Sequence, residues 1–133
     1  MNIKYRAIID NEVYYFDLKW LSIMASIDTS REYDYQKIMA WLHGGNQPDA
    51  FTGLRDINGV DIYENSIVNH PSRMNEFYNY PLLVVFDEGS FGINEGGWFR
   101  SFNFLSGEFG IDITTWEIIG NIHQNKELLT NEI

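Results

Sequence analysis

Residues 2–9 alternate strictly, with Ile3, Tyr5, Ala7 and Ile9 on one face and Lys4 and Arg6 on the other. That is the period-two pattern of a half-buried strand, with both cations toward solvent. Asp10-Asn11 interrupts it with turn chemistry, and residues 13–18 (VYYFDL) resume a β-rich run, so a hairpin is expected. Residues 19–27 are ambiguous, because Trp20, Leu21, Ile23 and Met24 suit either a buried strand or a helical turn. A helix follows. Thr29 and Glu32 have capping-box spacing, Tyr35, Ile38, Met39 and Leu42 recur at i, i+3, i+4 and i+7, and Gly44-Gly45 closes the segment. Residues 44–49 (GGNQPD) read as a linker. They divide the chain into an N-terminal region of one hairpin and one helix, residues 1–48, and a domain over residues 51–133.

Beyond the linker the texture changes to short strands and turns. The stretch 51-FTGLRDINGVDIYENSIV-68 holds two turn signals between apolar anchors. Asn58-Gly59 predicts a type I′ turn with positive φ at both residues, and residues 63–66 (YENS) a second turn leading Ile67-Val68 into the core. Residues 81–87 (PLLVVFD) form a continuous apolar strand. Glu88-Gly89 turns the chain into residues 90–93, and Glu95-Gly96-Gly97 turns it again. Residues 98–105 alternate as a further strand, residues 114–123 give the last, and residues 126–129 close as a helical turn. The expected fold is mainly β (α+β), with a small barrel or strongly bent sheet in the C-terminal part.

Composition narrows the class. A chain of 133 residues without cysteine has room for a core that needs neither disulfide nor metal, and it excludes thiol chemistry. The first residues lack an apolar signal-peptide run, and no stretch reaches about 18 apolar residues, so a cytoplasmic protein without a membrane span is expected. The charge is uneven. Residues 1–50 carry five basic and seven acidic side chains; residues 51–133 carry four basic, Arg55, Arg73, Arg100 and Lys126, against twelve acidic. A phosphate backbone would be repelled by the second half.

Candidate chemistry is sparse. His43, His70 and His123 share no metal-ligand spacing, and the glycines between 89 and 97 have neither Walker nor Rossmann spacing. Asp87-Glu88 and the Asp61, Glu64 pair fall in turn regions, where carboxylates are usually solvated. No catalytic, cofactor-binding or metal-binding residue is assigned. The aromatic content is the least routine feature: four Trp, eight Tyr and nine Phe are more than a small barrel buries. Trp20, Tyr78, Tyr80 and Phe99 are the candidates for an interaction surface, most simply between copies of the chain.

The stretch at 51–68 also resembles the signature of the YopX family, small proteins of bacteriophages and prophages. Residues 84–92 (VVFDEGSFG) are similar to the family's central strand and turn, residues 116–122 (WEIIGNI) with 125–129 (NKELL) to its C-terminal block, and residues 3–7 (IKYRA) to its start. Residues 10–48 fit only loosely. One departure stands out: Asn65-Ser66 replaces the family's usual Gly-Asp, and because Asn tolerates positive φ the turn is expected to survive. The resemblance implies a mainly β chain ending in an SH3-like barrel and a mobile-element origin; it implies no activity, catalytic residue or cofactor. The expected function is therefore a non-enzymatic phage or prophage accessory protein that contacts protein, in itself or in a host factor. Two alternatives remain open. One is nucleic-acid association, with Trp98 and Phe102 stacking on bases and Arg73 and Arg100 on phosphate. The other is an acidic decoy of a DNA-binding protein.

Overall fold

A computed structural model describes residues 3–29, 31–70 and 80–129. Among them the chain is mainly β, with nine strands in two antiparallel sheets, three α-helices and two 3-10 turns. It divides into two compact units, Met1–Phe51 and Thr52–Ile133.

The first unit opens with β1 (Lys4–Ile9) and β2 (Glu12–Asp17), paired from Lys4↔Asp17 to Ile9↔Glu12. Asp10 and Asn11 form the expected two-residue loop, with φ of 52° and 67°. The ambiguous segment is helical: Asp17 accepts the Trp20 N–H at 2.7 Å and caps α1 (Leu18–Ala25). The region therefore holds two helices, not one. The second, α2 (Tyr33–His43), starts later than the capping-box spacing predicts. Glu32 makes no side-chain cap, and the Gln36 amide bonds the Thr29 carbonyl and hydroxyl instead. The helical period holds, and Ile38 reaches a core with Ala7 and Phe16, where Tyr5 stacks on Phe16 at 5.6 Å.

Arg6 departs from its expected place on a solvated face. It is buried, and its Nη2 and Nε lie 3.0 and 3.1 Å from Asp49 Oδ2. The partner comes from the linker segment, because β3 (Asp49–Arg55) already begins at Asp49 and pairs Arg6↔Asp49 and Tyr5↔Ala50. The first sheet runs β2-β1-β3-β4, with β4 over Asp61–Tyr63.

In the second unit the loop from β3 to β4 (Asp61–Tyr63) is organised by one carboxylate. Asp56 Oδ1 accepts the N–H groups of Asn58 and Val60, both at 2.9 Å, while Oδ2 accepts the Ile118 N–H at 3.0 Å. Gly59 N–H closes on the Asp56 carbonyl at 3.0 Å, and Asp56 N–H on that of Val60 at 2.8 Å. Only Gly59 has positive φ, 78°, so the turn is not type I′ but a type I turn followed by a left-handed glycine. Asn58 stays at negative φ because the Asx bonds already satisfy the loop. Gly59→Val should still destabilise the protein by about 1–2 kcal/mol, since a β-branched residue resists this φ. An unchanged denaturant midpoint would rule out the left-handed assignment.

The second turn behaves as expected with Asn65-Ser66 in place of the Gly-Asp of the pattern it resembles. Asn65 takes φ of 68°, and the buried Ser66 hydroxyl accepts the Tyr63 N–H at 3.2 Å. Asn65 N–H also donates to the Val84 carbonyl at 2.7 Å and the Asn65 carbonyl accepts from Ile122 N at 2.9 Å, which ties the corner to the strand at Val84 and to the chain at Ile122.

The remaining strands are β5 (Ser66–Asn69), β6 (Leu82–Asp87), β7 (Ser90–Glu95), β8 (Trp98–Ser101) and β9 (Glu117–Asn121), in the order β8-β7-β6-β5-β9. The meander from β5 to β8 curls so that β9 returns beside β5, giving a half-barrel. Ile62, Val68, Leu82, Val84, Ile93, Leu105, Ile113 and Trp116 fill it.

Two strand predictions are shortened. Residues 98–105 leave the sheet at Ser101, whose hydroxyl accepts the Phe104 N–H at 3.1 Å and starts α3 (Phe102–Phe109). Gly110, with φ of 64°, stops that helix. Residues 113–115 are a 3-10 turn capped by Asp112, so the last strand begins at Glu117. The closing helical turn is present as 3-10 over Lys126–Leu129.

Candidate interaction surface

Register decides which side chains of β8 meet. Val84 pairs Ile93, and Ile93 pairs Arg100, so Arg100 shares the face that carries the core. Glu95 pairs Trp98, which puts Trp98 on that same face two residues away, at its margin. The margin ends there without covering the indole: Trp98 remains 75% exposed.

Glu95 is the hub of the cluster. Its Oε1 accepts the Tyr80 hydroxyl at 2.8 Å, and its Oε2 lies 3.4 Å from Arg100 Nε. The second contact is an ion pair without a hydrogen bond, for Arg100 Nε is a buried donor with no hydrogen-bond partner. The guanidinium leans instead toward α3, with Cζ 5.7 Å from the Phe104 ring and 5.9 Å from the Phe109 ring. Those rings meet edge-on at 5.5 Å and are both substantially exposed. Tyr80, Glu95, Gly96, Trp98 and Arg100 line a notch of ≈ 280 Å³. On its other side Arg100 joins Glu88, Ser90, Phe99, Ser101 and Phe104 around a shallow depression of ≈ 270 Å³.

The four sequence-predicted residues fall in different places. Tyr80 and Phe99 belong to this region, on opposite faces of the sheet margin. Phe99 lies over Gly92: a Cβ there would sit 2.7 Å from Phe99 Cε1 and 2.3 Å from the Arg100 carbonyl oxygen. Gly92 is thus the residue that lets β8 and the ring approach so closely. Trp20 is in the first unit, half-buried on the Ala7, Phe16 and Ile38 cluster and edge-on to Tyr35 at 5.9 Å. Tyr78 lies outside the described residues, as does Arg73. Sequence reasoning did not select Phe104 and Phe109, and it offered Trp98 only as a base-stacking group. The Ser101 cap followed by a glycine at 110 was the signal that these aromatics leave a strand for a helix.

The other candidates have local explanations. Asp61 pairs Arg55 at 3.1 Å, Asp87 accepts the Glu88 N–H, and His70 packs edge-on against Trp116 at 5.6 Å. His43 ends α2. Among the described residues no three His, Asp or Glu side chains are grouped to hold a metal ion. Two exposed groups are held in their charged forms. The Tyr14 hydroxyl that accepts from Lys37 raises that amine, and the Thr114 hydroxyl and N–H lower Asp112. Neither lies in the cluster. The arrangement suits recognition by aromatic and charged contact, and no helix among the described residues is long and apolar enough to cross a membrane.

A half-barrel whose turns and tethers come from residues 51–68 and 116–122 marks the chain as a small, mainly β protein of two antiparallel sheets. A family model described as YopX protein matches residues 4–130, and the chain belongs to the YopX family. No curated protein matches it. Among solved structures, protein EF1440 from Enterococcus faecalis is similar at 29% identity with a TM-score of 0.42. That similarity covers 62% of this chain and 55% of the other, so it spans about half of that protein's length.

Proposed function

We propose that this protein is a non-enzymatic bacteriophage or prophage accessory protein that acts in the host cytoplasm by contacting protein, in itself or in a host factor. The observation that carries the reading is the β8 margin, where Trp98 stands 75% exposed in a notch shared with Arg100, whose guanidinium leans on the exposed Phe104 and Phe109 rings. A large indole left in water, with an arginine between it and two exposed phenyl rings, is the composition of an interface centre. Tyr80 extends the notch beside Trp98, and Phe99 lines the separate depression on the other side of Arg100. The order β9-β5-β6-β7-β8, with β9 folded back on the first strand of the meander, supports reading the second unit as an SH3-like barrel.

Two measurements test the reading. Light scattering over a concentration series should show a species heavier than the monomer, diminished by Trp98→Ser. Capture from host lysate, with the wild-type protein and Trp98→Ser as paired baits, should show proteins that only the wild type retains, in a nuclease-resistant way. A clean monomer at high micromolar concentration together with identical captures would end the proposal.

Nucleic-acid association is the weaker reading. Phe102 packs against the core, Arg100 is engaged with Glu95, and Arg6 is buried against Asp49, so neither arginine adds to a cationic surface of the kind counterion release requires. No binding to single- or double-stranded DNA or RNA is expected by fluorescence anisotropy at about 100 mM salt. Salt-sensitive binding at micromolar protein would put this reading first.

A further inference from the structure

We propose that the notch between Tyr80 and Trp98 receives a lysine or arginine side chain from a partner protein. This rests on the protein-contact reading above and names the chemistry of the contact. Two aromatic side chains, Tyr80 and Trp98, flank one carboxylate, Glu95, around ≈ 280 Å³. Ring faces and a carboxylate attract the same ligand, a cation, and the attraction grows as the cation leaves water.

The resident cation does not close the site. Arg100 Nε is 3.4 Å from Glu95 Oε2 and makes no hydrogen bond, against about 2.7–2.9 Å for a well-made charged one. Its guanidinium is held from the other side by Phe104 and Phe109. Glu95 can therefore turn an oxygen to a guest without pulling Arg100 from a strong bond. Tyr80, by contrast, holds Oε1 at 2.8 Å and keeps the carboxylate aimed into the notch. The surrounding field has the same preference, since residues 51–133 carry twelve acidic side chains and four basic ones. An anionic guest would gain Arg100 but meet Glu95 and that field.

The test uses the whole protein and three short capped Gly/Ser peptides that differ at one central residue: lysine, norleucine or glutamate. The readout is the indole N–H resonance of Trp98, assigned by its loss in Trp98→Phe. The lysine peptide should shift it saturably, with a dissociation constant on the order of 1 mM and weakening as salt rises. Glu95→Gln, which keeps an acceptor for Tyr80 and so the fold of the notch, should weaken the lysine peptide about tenfold.

Equal shifts with norleucine would overturn the proposal in favour of a purely apolar contact. A stronger response to glutamate, lost in Arg100→Gln, would overturn it in favour of an anion. A resonance that moves with protein concentration alone would give the notch to a second copy. No shift with any peptide would also overturn it. The protein-contact reading would nevertheless stand wherever Trp98→Ser still abolishes capture, so the two failures are distinguishable.

Discussion

Replacing Asp56 with alanine is expected to cost about 3–5 kcal/mol of folding stability, among the largest effects a single substitution can have here. The side chain is buried and accepts three backbone N–H groups: Asn58 and Val60 on one oxygen, Ile118 on the other. Alanine removes the acceptor and leaves those donors facing a cavity that only water could fill. These bonds are part-buried, and each donor that loses its acceptor costs about 1–3 kcal/mol where water cannot replace it. Asp56→Asn should separate the two jobs of the carboxylate. Its single carbonyl oxygen can keep the two bonds within the loop, but its amide nitrogen would then confront the Ile118 N–H, donor against donor. A cost of about 2 kcal/mol is expected. Hydrogen exchange should accelerate at Ile118 while the Asn58 and Val60 amides stay protected. Uniform acceleration at all three would mean that the loop and β9 open as one unit. A near-neutral alanine variant by chemical denaturation would show that the tether contributes little.

The same residue marks the limit of what could be read from sequence. Asp10-Asn11, Glu88-Gly89 and Gly96-Gly97 were legible as two-residue turns because each needs only a pair of positive-φ residues between strands. Asn58-Gly59 carries the same local signal and folds differently, because its geometry answers to Asp56 just before it and, through Asp56, to a strand 62 residues further on. Residues 98–105 failed for a related reason. Apolar residues fall at 98, 99, 102, 104 and 105 there, so strand and helix periods are both partly satisfied, and the Ser101 hydroxyl decides between them. The candidate surface was half legible. Aromatic abundance pointed to Tyr80 and Phe99, but separating them from Trp98, Phe104 and Phe109 requires the β7–β8 register. Only that register states which ring lies over Gly92 and which stands at the margin. The family signature was readable because it is made of turns and tethers, whose chemistry is local to named residues.

Arg6→Ala is the second large effect expected, about 3–5 kcal/mol, and its reasoning is electrostatic rather than geometric. The side chains of Arg6 and Asp49 are 7% and 3% exposed, and two guanidinium nitrogens share the Asp49 Oδ2 oxygen at 3.0 and 3.1 Å. Both charges lost their water to reach this position, and the attraction between them roughly repays that loss. Removing the arginine leaves the desolvation of Asp49 without its largest compensation, in the segment where β3 joins β1. The double replacement Arg6→Met with Asp49→Leu removes both charges while keeping apolar volume, and it should sit within about 1 kcal/mol of the wild type. A double-mutant cycle in denaturant therefore has a definite shape: two costly single variants and one cheap double variant, with a coupling energy near the size of either single loss. If Arg6→Ala alone proved harmless, the pair would have to be solvated in solution, and the register Arg6↔Asp49 would no longer explain why an arginine from an alternating strand is turned inward. If the double variant were as unstable as the singles, the hydrogen bonds of the pair would matter more than its charge balance. The segment following α2 would then depend on this one contact to enter the sheet at Asp49.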